Sequence, residues 1–417
     1  MISSRKRWWG LGLVLAFSPA FASAADWAFE PVVNLGIEHS NNVFSLGAPS
    51  SADDFDPADT SSYLSVAFAW TATTRRSSFS FNYTPFFERY QDFSTLDNTA
   101  HRVGLIWAQQ QSPRVDWETR FHWARQQRQR VIFDNPAQDQ IILPQNEFDT
   151  LAASLQGRFV LSERSRVVAV VSAGATSYSE KDLPPEDIDG DGTFDVPGVS
   201  LDDARDISLQ LGWESDLSPR KVVGVSVFAT RIDEDRRGEY DVYRLLGVYR
   251  WGQAEHVVTT LTLGGAQTSV RDPGWGVFSE DLDEPSYLVG TLGIEGTIRR
   301  RTRIRGGIFR DVQASGGVTG TALTSGAFIS LGMPTGRWST LNLFARSAKR
   351  KPVRESGRSR QTDTVSFRAE WAVALSSRWF VVFAGERFDQ SSDLTSLEGD
   401  FNVLSAGVRW TPASPRR

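Results

Sequence analysis

The amino-acid sequence predicts an all-β fold: a transmembrane antiparallel up-and-down β-barrel of 18 strands, within a range of 16–18 that the pattern allows. Three observations lead to this fold class. The first residues have the pattern of an export signal. In the segments that follow, apolar residues occupy every second position, and the connections between these segments alternate between short and long. Since successive side chains of a strand point to opposite faces, a barrel can present one face to lipid and the other to water.

The first residues predict secretion. Positive residues at 5–7 precede an apolar run at 8–17, and small residues at 22–24 fit the −3 and −1 positions of a cleavage site. This is the pattern of a secretory signal peptide, and its apolar run is too short to span a bilayer as a helix. We therefore expect residues 1–24 to be a cleaved signal peptide and residues 25–417 to form a single barrel domain. A retained membrane anchor is the alternative.

Charge and cysteine usage narrow the possible classes of function. The formal net charge is −5, and loss of the basic signal residues makes the mature chain more acidic, which argues against a nucleic-acid partner. The sequence has 0 cysteines. An exported chain without disulfides needs another source of stability, and a closed hydrogen-bonded sheet is one such source.

The alternation begins at residue 27. Trp27, Phe29 and Leu35 share one face of the first segment, whereas Asn34 and Glu38 lie on the other. The length of each alternating segment matches the ~9–11 residues that a tilted strand needs to cross a bilayer. Five segments lie before residue 126, and thirteen follow: 149–161, 165–179, 204–215, 220–232, 240–251, 255–270, 286–298, 302–312, 320–333, 338–347, 363–375, 378–389 and 400–411.

The connections between these segments alternate in length. Eight are short: Thr74–Ser77, Gln110–Arg114, Ser162–Ser165, Asp216–Pro219, Gly252–Glu255, Arg299–Thr302, Pro334–Arg337 and Ser376–Arg378. The others are mostly longer and more polar, for example 40–61, 126–148, 180–203, 271–285 and 347–362. Outer-membrane barrels have short periplasmic turns and long extracellular loops, whereas a soluble sandwich has no reason to alternate in this way. The pattern predicts the bacterial outer membrane as the location, with both termini in the periplasm.

The last segment ends on an aromatic residue. Leu404, Ala406 and Val408 alternate toward Trp410, which resembles the signal by which the barrel-assembly machinery recognises its clients. That aromatic residue is usually the last one, and here seven residues follow it. We expect this machinery to be a partner during insertion, and the outer membrane with its lipopolysaccharide to be the final environment.

Charged residues in the middle of the segments are candidates for the inner wall of the barrel. They alternate with apolar neighbours, so they would face a water-filled lumen while those neighbours face lipid. One interpretation is that they neutralise one another and line a wet wall, and the other is that they recognise a solute. These candidates are Arg102, Glu118, Arg120, Arg244, Glu295, Arg305, Arg368, Glu370 and Arg409.

One acidic loop has the ligand spacing of a calcium site. Asp187, Asp189, Asp191, Thr193 and Asp195 occupy loop positions 1, 3, 5, 7 and 9, with a glycine at position 6. The glutamate expected at position 12 is missing, so the pattern resembles thrombospondin- or dockerin-type calcium loops more than a full EF-hand. The loop either binds Ca²⁺, the only cofactor that the sequence suggests, or is simply acidic and solvated.

A second loop is basic. Lys349, Arg350, Lys351 and Arg354 crowd one stretch of the predicted loop 347–362. On the cell surface they would meet lipopolysaccharide phosphates or an acidic polymer. The alternative is solvated charge that keeps the loop from aggregating.

Motifs of enzyme active sites are missing from the sequence. It contains no Gly-x-Ser-x-Gly, no His-Glu-x-x-His and no cysteine nucleophile. His101 lies near a strand end, as does the histidine of barrels that cleave lipids, but no local motif supplies a partner serine. We therefore expect no enzymatic activity.

The start of the mature chain adds a family resemblance. Residues 29–44, FEPVVNLGIEHSNNVF, are similar to the opening of outer-membrane β-barrel porins associated with exopolysaccharide loci, in which an Asn-Asn-Val-Phe-like segment ends the first strand. The resemblance is specific over about 20 residues and otherwise consists of barrel length and strand rhythm. It implies a role in passing secreted polysaccharide, with polysaccharide and periplasmic export proteins as partners. No site residue can be assigned from it.

Three functions remain open at this point. The leading hypothesis is an outer-membrane conduit for the export of exopolysaccharide, since barrels of 16–18 strands enclose an aqueous channel. The alternatives are a general or solute-selective diffusion porin and a non-transporting barrel that acts as an adhesin or scaffold. A porin would conduct steadily in a planar bilayer, whereas an exporter would be gated or plugged.

Overall fold

The computed structural model describes residues 25–43, 58–126, 147–179, 182–183, 199–200, 203–235, 238–254, 256–272, 285–298, 301–313, 321–353, 361–392 and 399–412. The predicted signal peptide at 1–24 lies outside these residues. No helix in the described part is long and apolar enough to cross a membrane.

One antiparallel sheet contains eighteen strands. They are β1 Asp26–Ser40, β2 Asp59–Thr73, β3 Ser77–Tyr90, β4 Asn98–Ser112, β5 Val115–Gln126, β6 Phe148–Val160, β7 Ser165–Tyr178, β10 Ala204–Ser218, β11 Lys221–Glu234, β12 Gly238–Ala254, β13 Val257–Asp272, β14 Ser286–Ile298, β15 Thr302–Gln313, β16 Ala322–Pro334, β17 Ser339–Pro352, β18 Thr362–Ala374, β19 Trp379–Ser392 and β20 Gly399–Trp410. Two short strands, β8 Asp182–Leu183 and β9 Val199–Ser200, pair only with each other.

The sheet closes on itself. Each barrel strand pairs with the next one along the chain, and β1 pairs with β20 from Val33–Trp410 to Ser40–Val403. Closure leaves no edge strand with unpaired backbone groups, which hydrocarbon would penalise. The predicted fold class, a closed antiparallel barrel of 18 strands, is confirmed.

The strands extend farther than the apolar alternation alone indicates. Their 12 to 17 residues exceed the ~9–11 needed to cross hydrocarbon. The largest difference is in β17, which runs to Pro352, so the predicted loop 347–362 is wrong at its start. The reason is that the hydrogen-bonded register with β16 continues from Ser325–Lys349 to Ala322–Pro352, where the side chains are no longer required to alternate in polarity.

Large apolar side chains cover the outer face of the barrel. Leu404, Leu288 and Leu35 are 67 %, 65 % and 58 % exposed, which a protein surrounded by water would avoid. Their strand neighbours Arg409, Glu295 and Asn34 are on the inner face by alternation. Apolar outside and polar inside is the arrangement of a membrane-spanning barrel of the outer-membrane type.

Outward-facing tryptophans gather near one end of the barrel, the end with the short turns. Tryptophan is enriched at membrane–water interfaces because its ring is apolar and its N–H is polar. This band therefore marks the interface at the short-turn end. On the outer face it consists of Trp27, Trp70, Trp107, Trp117, Trp213, Trp251, Trp371, Trp379 and Trp410, and Trp338 adds an exposed ring in the turn before β17.

Candidate functional site: the barrel lumen

All nine charged residues proposed for the inner wall lie on the inner face of the barrel. The strand register shows this, since inner residues pair with inner residues across each ladder. Arg102, for example, pairs with Ala124, and Arg368 pairs with Glu386. The nine are Arg102, Glu118, Arg120, Arg244, Glu295, Arg305, Arg368, Glu370 and Arg409.

The first charged cluster of the wall involves β18, β19 and β20. Arg368 Nη2 lies 3.4 Å from Glu370 Oε2, and its Nη1 lies 3.8 Å from Glu386 Oε2. Arg409 Nη2 lies 3.5 Å from Glu370 Oε1. Arg409 Nε also donates a hydrogen bond of 2.9 Å to Asn34 Oδ1 on β1. These charges neutralise one another and bridge the closing seam between β1 and β20.

A second cluster lies on β7, β10 and β12. Arg166 Nη2 is 2.7 Å from Glu214 Oε2, and Arg166 Nη1 is 3.2 Å from Asp216 Oδ1. Arg250 approaches the same Glu214 at 3.8 Å. None of these four residues was a sequence candidate, although each occupies the polar phase of its strand, and that alternation is the signal that could have found them.

The arginines on the wall of β4, β5 and β6 also contact acidic or amide groups, and Arg158 Nε of β6 lies 3.2 Å from Asp116 Oδ2 of β5. Arg120 Nε pairs with Glu118 Oε1 at 2.5 Å on the same strand, and Arg102 donates a hydrogen bond of 3.3 Å to Gln126. These residues therefore contact mainly one another. This agrees with the first of the two interpretations of the sequence, in which the inner-wall charges pair with each other and do not recognise a solute.

The wall of β14 to β17 differs, because it has positive charge without a carboxylate partner. Arg303 and Arg305 are exposed on the inner face and form no ion pair with another described residue. Glu295 is the register partner of Arg305, but their charged groups are not in salt-bridge contact. With Ser330 and Asn342, these residues line a groove of about 430 Å³.

This groove has the chemistry of an anion subsite, because its two arginines outnumber Glu295, the one carboxylate among its lining residues. Two guanidinium groups supply charge and planar donors for a carboxylate or phosphate. The Ser330 hydroxyl on β16 and the Asn342 amide on β17 supply further hydrogen bonds. An adjacent groove of about 800 Å³ also includes Arg303 and Asn342, and continues to Arg301 and Arg337 at the short-turn end.

Farther toward the long-loop end, the same wall carries two more arginines. Arg346 and Arg350 of β17 are 4 % and 2 % exposed on the inner face. The guanidinium carbon of Arg346 lies 5.6 Å from the centre of the Phe309 ring, within cation–π range. Positive groups therefore occur along the full length of this wall.

At the long-loop end, β14 and β15 separate. Their last register pair is Gly290–Arg310, whereas β15 and β16 stay paired up to Gln313–Ala322. We call residues 311–313 and 321–323, at the end of this β15–β16 pair, the inward hairpin.

The inward hairpin contacts the inner face of β11 and β12. Arg244 Nε lies 3.1 Å from Asp311 Oδ1, and its guanidinium also donates a hydrogen bond to the Val312 carbonyl. Thr321 Oγ1 donates a hydrogen bond of 2.9 Å to Glu234 Oε1. β11 and β12 are separated from β15 by β13 and β14, so the inward hairpin folds into the lumen over the inner faces of these neighbouring strands.

Apolar packing accompanies these polar contacts. Val312 and Leu323 of the inward hairpin are 0 % and 8 % exposed and belong to one buried cluster with inner-face residues of β11 to β14. This cluster narrows the lumen at the long-loop end. Its members are Ile232, Tyr240, Val242, Ala266, Val289, Val312 and Leu323.

The two predicted loop sites have different outcomes. Asp187, Asp189, Asp191, Thr193 and Asp195, the proposed calcium loop, lie outside the described residues, so calcium binding stays a prediction.

The predicted surface basic loop needs correction. Lys349, Arg350 and Lys351 belong to strand β17, and Arg354 lies outside the described residues. Strand alternation splits the three, because Arg350 is buried on the inner face, while Lys349 faces outward and lies 3.6 Å from Asp363. The three therefore do not form a single surface patch.

Comparisons with known proteins give structural neighbours but no family. No family model matches the chain, and no curated protein matches it. Among solved structures, a BenF-like porin from Pseudomonas fluorescens is 11 % identical to this chain, with a TM-score of 0.46. The alignment covers 93 % of this chain and 99 % of the porin. Pseudomonas aeruginosa OprD is 12 % identical (TM-score 0.43, covering 93 % and 95 %), and OpdL is 10 % identical (TM-score 0.42, covering 93 % and 98 %). This level of similarity carries no argument about function. The evidence for the fold is the strand pairing, and the evidence for the function is the chemistry of the lumen.

Proposed function

We propose that this chain is a solute-selective diffusion channel of the bacterial outer membrane, and that it favours small anionic solutes. The observation that supports the proposal is the groove with Arg303 and Arg305, where inner-wall positive charge has no carboxylate partner. Elsewhere on the wall, arginines such as Arg166 and Arg409 are engaged by acidic or amide groups. A solute with a carboxylate or phosphate would supply the missing partner.

The narrowing by the inward hairpin suits small solutes better than a polymer. A polysaccharide chain would have to pass the contacts of Arg244 and Glu234 with the hairpin at the long-loop end. Export of exopolysaccharide, the leading hypothesis from the sequence, is supported by the resemblance of residues 29–44 only, and no feature of the described lumen favours it. The proposed orientation has the short turns in the periplasm and the long loops facing lipopolysaccharide.

The proposal can be tested by ion selectivity in a planar bilayer. Under a KCl gradient, the reversal potential of the wild-type channel is expected to show preference for chloride. The double variant Arg303→Gln/Arg305→Gln should lose most of this preference, since two unpaired positive charges leave the wall. Arg310→Gln is the matched control, because Arg310 is on the outer face of the same strand.

Two outcomes would contradict the proposal. One is a wild-type channel without anion preference, and the other is a folded double variant with the same reversal potential as the wild type. If deletion of the gene abolished surface polysaccharide and left uptake of small anions unchanged, the export hypothesis would replace the channel hypothesis.

A further inference from the structure

The short turns of the barrel carry a ring of arginines. Seven of the eight turns have at least one exposed arginine among the described residues, and His256 is in the eighth. We call this set the arginine rim. It consists of Arg75, Arg76, Arg114, Arg164, Arg220, Arg301, Arg337 and Arg378.

The same turn geometry recurs around this rim. In five turns a Ser or Thr hydroxyl oxygen accepts the backbone N–H of the arginine two residues later, as in turns stabilised by these side chains. The distances are between 3.2 and 3.3 Å, and the pairs are Thr74–Arg76, Ser112–Arg114, Ser162–Arg164, Ser218–Arg220 and Ser376–Arg378. Each arginine is thereby held at the tip of its turn.

The positive charge of the rim is not compensated within the described residues. None of the eight arginines forms an ion pair there, and the turns themselves contribute one described carboxylate, Glu163. At the long-loop end, by contrast, some outward-facing arginines form ion pairs with aspartates. Arg125 lies 3.1 Å from Asp149, and Arg271 lies 2.6 Å from Asp241.

The tryptophan band fixes the depth of the rim in the membrane. The guanidinium carbon of Arg337 lies 4.9 Å from the ring centre of the adjacent Trp338, and Arg378 directly precedes Trp379. At ~3.3 Å per residue along a strand tilted by ~40°, an arginine one to three positions beyond the band is about 2.5–7.5 Å farther out. The headgroup layer of a leaflet begins there and is roughly 5–7 Å thick. The guanidinium groups are therefore at the level of the lipid phosphates.

We propose that the arginine rim binds the phosphate groups of anionic phospholipids in the leaflet at the short-turn end. Guanidinium groups bind phosphate through parallel N–H donors. The arginines are distributed around the barrel rather than on one side, which fits a surrounding leaflet better than a single docked protein or a polymer entering the lumen. Arg301 and Arg337 also line the groove next to the anion subsite. The variants below therefore use four other rim arginines, so that their effect is independent of what the channel conducts.

The test measures lipid selectivity at the barrel surface. The refolded full chain is reconstituted in phosphatidylcholine vesicles with a trace of spin-labelled phosphatidylglycerol or spin-labelled phosphatidylcholine. The fraction of motionally restricted label gives the relative association constant of the two lipids. Wild type is expected to favour phosphatidylglycerol by up to about fivefold for a headgroup held by one arginine. The preference should disappear at 1 M NaCl, where the screening length falls to ~3 Å.

Variants then separate the rim from the rest of the surface. Replacing Arg75, Arg114, Arg220 and Arg378 by glutamine should remove at least half of the preference, and replacing the same four by lysine should retain most of it. Folding of each variant is checked by heat-modifiable mobility in gels. If the glutamine variant does not fold, the salt titration of the wild type tests the proposal by itself.

Three results would overturn the inference. The first is equal association of the two lipids with the wild type at low salt. The second is a folded glutamine variant that keeps the full preference. The third is binding of soluble polyglutamate to the wild type without any preference for phosphatidylglycerol, which would assign the rim to an acidic polymer instead.

Discussion

Arg244 is the residue whose replacement most directly tests the role of the inward hairpin. It extends from the inner face of β12 to Asp311 and to the carbonyl of Val312, and its side chain is 16 % exposed. In Arg244→Gln both interactions with the hairpin are weakened or lost. We expect the hairpin to leave its position more often and the channel to conduct more current.

The structure sets the size of this effect. A half-buried ion pair together with a hydrogen bond from a charged donor contributes about 2–3 kcal/mol. Losing it changes the ratio of displaced to inward hairpin by about 30- to 150-fold. The buried apolar cluster of Val312 and Leu323 remains in the variant, so the hairpin should be displaced part of the time rather than permanently.

Single-channel recording in planar bilayers measures this population. The expected result is a new higher-conductance level, or a longer dwell in it, for Arg244→Gln. Arg310→Gln on the outer face of β15 is the control and should behave as the wild type does. An Arg244→Gln barrel that folds normally and has wild-type conductance levels would refute the reasoning that the hairpin obstructs the lumen.

Three further predictions follow from other contacts. Thr321 of the hairpin donates a hydrogen bond of 2.9 Å to Glu234 of β11. Cysteines at these two positions should lock the hairpin and lower conductance until a reductant is added, and no effect of the reductant would argue against the contact. Leu323→Ala should destabilise the barrel by about 2–3 kcal/mol in urea unfolding, because it leaves a cavity in a buried cluster, whereas a change near zero would mean that the cluster is loosely packed. The pKa of Asp97 lies below its ordinary 3.8, because its carboxylate accepts a hydrogen bond from the backbone N–H of Tyr90 and, secondarily, pairs with Arg89. The ionised carboxylate therefore stabilises the 91–97 connection above pH 3.8, and this stabilisation is lost as the pH falls through the lower pKa of the folded state. The protection factor of the Tyr90 amide, which corrects for the intrinsic pH dependence of exchange, should fall in acid in the wild type but not in Asp97→Asn, and equal pH profiles would contradict the assignment.

The sequence predicts the barrel well because alternation is a local property. Trp27, Phe29 and Leu35 reveal their common face without knowledge of any other strand, and the short turns are marked by turn residues. The recurring Ser/Thr-x-Arg spacing of these turns was also visible in the sequence. The spacing alone does not show that these arginines form one rim, because that depends on all the short turns lying at the same end of the barrel.

The lumen was predictable only in part. Alternation places Arg409 and Glu370 on the inner face, but their contact depends on neighbours that are distant along the chain. The same holds for the lack of a partner at Arg303, and for the inward hairpin, which needs β15 to leave β14 at Arg310. The alternation of apolar and polar residues does not reveal where β15 leaves β14, because β15 itself continues without a break.

The most direct test of the central claim is solute flux through the purified channel. Proteoliposomes are diluted into isotonic solutions of gluconate or of a neutral sugar of similar size, and the initial swelling rates are compared. The channel proposed here should admit gluconate faster, and the Arg303→Gln/Arg305→Gln variant should admit the two at similar rates. Equal rates for both solutes in the wild type, or no swelling with either, would contradict an anion-favouring diffusion channel.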